Sequence, residues 1–345
     1  MTYIHRLASI AGLSLVLTAS GVAQYGGGTT GGTTTGGSGS GGAPTGAAGG
    51  STGAASGGAP TSVYNFHSNY HLGFDRPEAW GLKYFASASM LSGLQPLESP
   101  EGHRVGSFNI GFETGWLPNL DAGQEKIGFK GSVPEDLNKA PIFARVVVRV
   151  GLPDKFTAVV AAPPPFEVFG ITSHLLAFGL ERPLIERPQW TLGWRGYGQI
   201  GSVKGAFTCP QSALGFAPGT PGNPTECVGQ SSDVATLRYA GMELQFAHRL
   251  RRMPKLIPHV AAGGNWIDGA FQVHAPVADG LDQTRLWTRG GTFTGTGGVT
   301  YALTRKAALT VDAFYTPLWV QRTAAAPTTN DGLFNVRALI SYTFR

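Results

Sequence analysis

The chain closes on a strict alternation. Phe334, Val336, Ala338, Ile340, Tyr342 and Phe344 are apolar, and Asn335, Arg337, Ser341 and Thr343 between them are polar, with Leu339 the one break. Successive side chains of a strand point to opposite faces, so this pattern predicts a strand greasy on one side and wet on the other. In a transmembrane barrel the greasy side meets lipid and the wet side meets the lumen. The same alternation recurs upstream. Phe108, Ile110, Phe112, Thr114 and Trp116 stand against Ser107, Asn109, Gly111, Glu113 and Gly115, and Ile142, Ala144, Val146, Val148 and Val150 enclose Arg145 and Arg149. Tyr64, Phe66, Tyr70, Leu72 and Phe74 alternate with polar residues, as do Leu82, Tyr84, Ala86, Ala88 and Met90. Further segments fall near 155–162, 168–181, 189–203, 234–249, 257–273, 290–303 and 307–320. Together they predict an all-β, antiparallel, up-and-down transmembrane β-barrel of about twelve strands over 62–345.

The connections carry a polarity of their own. Counting back from the C-terminus, 322–332, 275–288, 204–232 and 117–141 are long. Thr304 to Lys306, Leu250 to Lys255, Pro183 to Pro188 and Gly151 to Asp154 are short. Barrels of this class have short periplasmic turns and longer outer loops. The exception is Pro163-Pro164-Pro165, a short connection where an outer loop is due. With residues 62–74 as the first strand the strand number is even, and both termini fall in the periplasm. Trp80, Trp116, Trp190, Tyr315, Trp319 and Tyr342 are expected near strand ends, at headgroup level.

The N-terminus points to export. Arg6 precedes an apolar run from Leu7 to Ala19, too short to span a bilayer as a helix, and Ser20-Gly21-Val22-Ala23 supplies small residues for cleavage. Residues 1–23 are therefore read as a signal peptide. Residues 24–61 are almost entirely Gly, Thr, Ser and Ala, which cannot bury enough apolar surface to offset the entropy of ordering, so a disordered linker is expected. Charged residues are 14 % of the chain and Gly numbers 51, a low charge content that suits strands facing hydrocarbon. The net charge of +5 is spread along the chain, which argues against nucleic acid as a partner. Cys209 and Cys227 flank a Pro/Gly-rich segment and, in an exported protein, predict one disulfide worth about 3 kcal/mol in the chain-entropy model.

Gly111-Phe112-Glu113-Thr114-Gly115-Trp116-Leu117-Pro118, Gly205-Ala206-Phe207-Thr208-Cys209-Pro210, Phe314-Tyr315-Thr316-Pro317-Leu318-Trp319-Val320 and the end from Asn330 to Arg345 carry a resemblance. Through them the chain resembles an uncharacterised family of Gram-negative outer-membrane β-barrel proteins. The resemblance implies the cell outer membrane, its lipid, and assembly by the barrel-assembly machinery through the C-terminal strand. It brings no catalytic residues. The usual terminal aromatic is penultimate here, before Arg345.

Function is less legible. Lys83, Glu113, Arg145, Arg149, Arg195, Glu243, Asp312 and Arg337 lie on the polar phase of their segments and are candidate lumen-lining residues. They either line a pore for small solutes, as rings of charge do in channels, or pair across the lumen and fill it. His67-Ser68-Asn69 puts a His beside a Ser on opposite strand faces, which forbids the hydrogen bond that acyl hydrolysis needs. No metal or cofactor motif appears, and a non-enzyme is expected. The leading expectation is a narrow porin-like channel. The alternatives are a structural or adhesion barrel, and uptake of hydrophobic compounds past inward apolar residues such as Phe85, Phe143 and Val147. Apolar uptake would show as a lateral opening at a broken strand.

Overall fold

The computed structural model describes residues 68–93, 105–127, 129 and 133–344. The expected signal peptide (1–23), the expected linker (24–61) and His67 lie outside the described residues. In chain order the strands are β1 (Asn69–His71), β2 (Phe108–Trp116), β3 (Ile142–Gly151), β4 (Thr157–Ala162), β5 (Ile171–Glu186), β6 (Trp190–Gly205), β7 (Asp233–His248) and β8 (Leu256–Gln272). There follow β9 (Ala275–Val277), β10 (Gly280–Asp282), β11 (Arg285–Ala302), β12 (Ala307–Thr316), β13 (Trp319–Val320), β14 (Thr329–Asn330) and β15 (Leu333–Phe344). Among the described residues one α-helix, α1, spans Pro77–Ala88.

Among the described residues ten strands form a closed antiparallel ring: β2 to β8, then β11, β12 and β15, which pairs back on β2. Closure gives every wall strand two neighbours, so most of the wall's backbone is paired within the ring, the condition for strands in lipid. The terminal strand alternates as expected. Phe334, Val336, Ile340, Tyr342 and Phe344 are 40–53 % exposed on the outside, while Asn335 and Arg337 are buried inside. Phe112, Phe178, Leu244, Trp266, Phe293 and Val311 continue this apolar belt around the other strands.

Twelve strands were expected and ten are found; both surplus strands are N-terminal. Of the expected strand over 62–74 the described residues are 68–74, where Asn69–His71 lies parallel to the start of β11 and adds no transmembrane strand to the ring. Residues 82–90 belong mostly to α1, which stands in the lumen with eleven of its residues buried. The short run Leu82, Tyr84, Ala86, Ala88 fits either period. Pro77 at the first turn is preorganised for a helix, and alanines favour one. A helix also satisfies its own backbone and so needs no strand edge from the ring around it. Its surroundings explain why it is apolar on more than one face. The plug approaches its neighbours closely at two glycines. A Cβ on Gly81 would lie 2.7 Å from Ile127, and one on Gly290 of the wall 2.6 Å from Phe74.

The two rims differ. Thr304 to Lys306 and the turns after β3, β5 and β7 close the rim that carries Phe108 and Phe344. The long connections, including the ribbons β9–β10 and β13–β14, lie at the other rim. Ser68 accepts a backbone hydrogen bond from Arg285 at that long-loop rim (2.9 Å), opposite Phe344. The wall itself begins at Phe108 and ends at Phe344 on one rim, as an even strand number requires. Among the described residues, 68–74 add no wall strand to that ring. Trp80 is not a girdle residue either; it is buried in α1 and donates to the Asp331 carbonyl (2.8 Å). Trp116, Tyr315, Trp319 and Tyr342 do face outward, 42–55 % exposed.

Candidate functional site

The lumen holds two layers, a charged clamp and an apolar cavity. The clamp grips the end of α1. A helix leaves its last carbonyls without intrahelical partners, and cations are favoured there. Arg337 donates to the carbonyls of Ser87 (3.1 Å) and Met90 (2.6 Å). Arg145 donates to Ser89 (2.7 Å) and pairs with Glu113 at 2.5 Å. Arg195 bridges Glu181 (2.6 Å) and Glu243 (3.1 Å) and also reaches the Gly93 carbonyl. Glu243 in turn accepts from Ser92 (2.5 Å) and the Gly93 amide (3.2 Å). Arg149 completes the layer beside Glu181 at 3.6 Å.

Seven of the eight candidates named from the sequence face the lumen from the wall, and all seven are buried. With Glu181, the arginines at 145, 149, 195 and 337 meet the carboxylates at 113, 181, 243 and 312, four against four. Asp312 also pairs with His259 Nε2 at 2.6 Å. Lys83 is the exception: it sits on α1 and donates to the carbonyls of Phe74 (2.5 Å) and Trp319 (2.7 Å). Burial lowers its pKa to about 8, partly opposed by Asp75. Glu181 was missed although its phase matches Leu175 and Ala177 on β5; His259 was read as a scattered residue. Tyr239, which donates to the Ser89 carbonyl (3.0 Å), could not be told from a lipid-facing aromatic by type alone.

Beside the plug lies an apolar cavity of about 190 Å³. Leu82, Phe85 and Ala88 of α1 form one side; Leu175, Leu237 and Phe271 of the wall form another. Phe129 stacks on Phe271 with ring centroids 3.7 Å apart. Phe85 and Phe143, singled out as inward apolar residues, both line the cavity; Val147 is buried in the wall. Two of its polar neighbours are committed elsewhere. Ser89 donates to the Ala86 carbonyl and the Asn138 amide to Leu120.

The cavity reaches the belt where β4 stops short. β4 pairs with Val146–Gly151 of β3 and with Ala177–Glu181 of β5, so Ile142–Arg145 and Ile171–Leu176 have no β4 partner. Pro163, Pro164, Phe166 and Phe169 lie at this gap and line the cavity, and both phenylalanines are more than half exposed. Proline has no N–H, so the strand ends in residues that leave no donor stranded at membrane depth, where each unsatisfied group costs several kcal/mol. This is the physical sense of the anomalous Pro163–Pro165 connection.

At the long-loop rim Cys209 and Cys227 form the expected disulfide (Cα–Cα 5.7 Å). Asp233 accepts from the amides of Phe207 and Thr208 and so ties the loop base to β7.

The architecture is that of an outer-membrane β-barrel. Solved structures to which the chain is similar include the attachment invasion locus protein Ail of Yersinia pestis, 9 % identical over 70 % of this chain and 100 % of that one, with a TM-score of 0.28. Others are the Escherichia coli outer membrane protease OmpT (10 % identity, 69 % and 94 % coverage, TM-score 0.33) and the Ralstonia pickettii toluene transporter TbuX (9 %, 70 % and 90 %, TM-score 0.27). No family model and no curated protein matches the chain. The presence of a protease among these barrels corrects the expectation that the chain is not an enzyme: the fold gives no ground for excluding catalysis.

Proposed function

We propose that the chain sits in the outer membrane and takes up small, uncharged hydrophobic molecules through the gap between β3 and β5. One observation carries this reading: the cavity beside α1 is lined by Ile142, Phe166 and Phe169, which stand exposed on the outside where β4 ends. An apolar cavity of about 150 Å³ stays dry and binds benzene, so a space of about 190 Å³ suits a single aromatic ring or a short hydrocarbon. A molecule leaving sideways moves from cavity to lipid without crossing water. In this placement the short-turn rim with Phe344 faces the periplasm and Ser68 stands at the outer rim. Assembly through the β15 end remains part of the proposal.

The porin-like channel is the weaker reading, because α1 and the charge layer occupy the lumen. Small solutes would pass only with the plug undocked. The test is direct binding of toluene to the purified, folded protein by calorimetry, with benzoate as the charged control. Saturable binding of toluene alone supports the reading, and Ser173→Phe, which projects a ring into the cavity, should abolish it. Absence of saturable toluene binding, or indifference to Ser173→Phe, would sink the proposal.

A further inference from the structure

At the long-loop rim the outward-facing charge of the wall strands lies on one side of the barrel. Arg238 of β7, Asp268 of β8 and Arg289 of β11 are direct register partners across three strands, and all three turn away from the lumen. Arg285 and Lys204 stand exposed at the same rim. On the far side the corresponding outward positions are Trp116, Phe334 and Tyr315. Arg289 lies over the Trp287 ring (5.7 Å), and Trp287 stacks on His71 at 4.1 Å, which stiffens the rim there. Among the described residues neither Arg238 nor Arg289 makes a side-chain hydrogen bond or an ion pair.

Depth gives the patch its meaning. From Arg289 to Tyr301 the outward residues of β11 are Gly291, Phe293, Gly295, Gly297 and Val299, without a charge. Twelve residues at about 3.3 Å each, tilted by about 45°, span roughly 28 Å, against an apolar band of about 25 Å. The arginines therefore sit just above the band at the long-loop rim. Beneath them Trp266 and the glycines 264 and 291 make a shallow apolar lane.

We propose that this face binds the headgroup of a bisphosphorylated glycolipid of the outer leaflet. Guanidinium groups fork onto phosphate oxygens. Two arginines on strands separated by one other lie about 10 Å apart at the backbone, a spacing for two separate phosphates. Asp268 between them relieves their repulsion, and the acyl chains run down the lane. The proposal rests on reading the long-loop rim as the outer one. Binding in detergent tests the site independently of orientation, and heat-modifiable migration reports separately whether each preparation is a folded barrel.

The experiment is native mass spectrometry of the full chain with three probes: hexa-acylated lipid A bearing both phosphates, the same lipid without them, and phosphatidylglycerol. Specific retention of the bisphosphorylated lipid is expected. Arg238→Gln with Arg289→Gln should weaken it about tenfold or more, while Arg252→Gln with Arg305→Gln, in exposed turns of the opposite rim, leaves it unchanged. Equal retention of the dephosphorylated lipid or of phosphatidylglycerol overturns the proposal. So does full retention by the folded Arg238/Arg289 variant.

Discussion

Replacing Arg337 by Met should release the plug. The guanidinium is 1 % exposed, holds the Ser87 and Met90 carbonyls, and lies over the Phe314 ring at 4.0 Å. Methionine keeps much of the volume and removes every donor. Two carbonyls of the helix end lose their partner, and Asp312, the register neighbour of Arg337 on β12, loses its facing cation. Breaking one side of a buried charge arrangement costs about 3–5 kcal/mol. At 1.4 kcal/mol per decade that raises the undocked population by about two to three and a half decades. Only the docked state bears this cost, because undocking exposes the same groups to water in the lumen. The assay is single-barrel conductance in planar bilayers, with Trp80 emission as a second readout, since Trp80 travels with α1. Wild type should be closed, and Arg337→Met should show openings with red-shifted emission. The combination with Arg145→Met should open further. A folded, heat-modifiable Arg145/Arg337 double variant that stays closed, with unchanged emission, would refute the clamp.

Three further outcomes follow. Cys209→Ser with Cys227→Ser should cost the long-loop rim about 3 kcal/mol, read as faster proteolysis between 210 and 226 with the wall intact. Lys83 titrates near 8 when docked and near 10.5 when unfolded. Between those values the unfolded chain holds the extra proton, so stability from this group rises with pH through that window. Lys83→Met should flatten that rise in a pH series of thermal melts. An epitope inserted directly before Ser68 should be reached by antibody on intact cells and one after Phe344 should not; the opposite pattern would invert the assigned rims.

The wall was legible because its information is local. A period of two places Phe334 to Phe344 outward and Asn335 and Arg337 inward whatever the neighbouring strands are, and closure preserves that assignment. The disulfide was legible for a similar reason: two cysteines leave one pairing. The lumen was not. A run as short as Leu82 to Met90 fits a strand or a helix, and the enclosing ring decided for the helix by surrounding an element that satisfies its own backbone. Lys83 moved from wall to plug with it. Which arginine meets which carboxylate depends on cross-strand register, set by ten pairings at once. Glu181 and His259 joined the charge layer for that reason. The gap at Pro163–Pro165 was visible only as an exception to loop lengths. It became an opening once the register showed how far β3 and β5 outrun β4, a difference between three strands that no single segment of sequence contains.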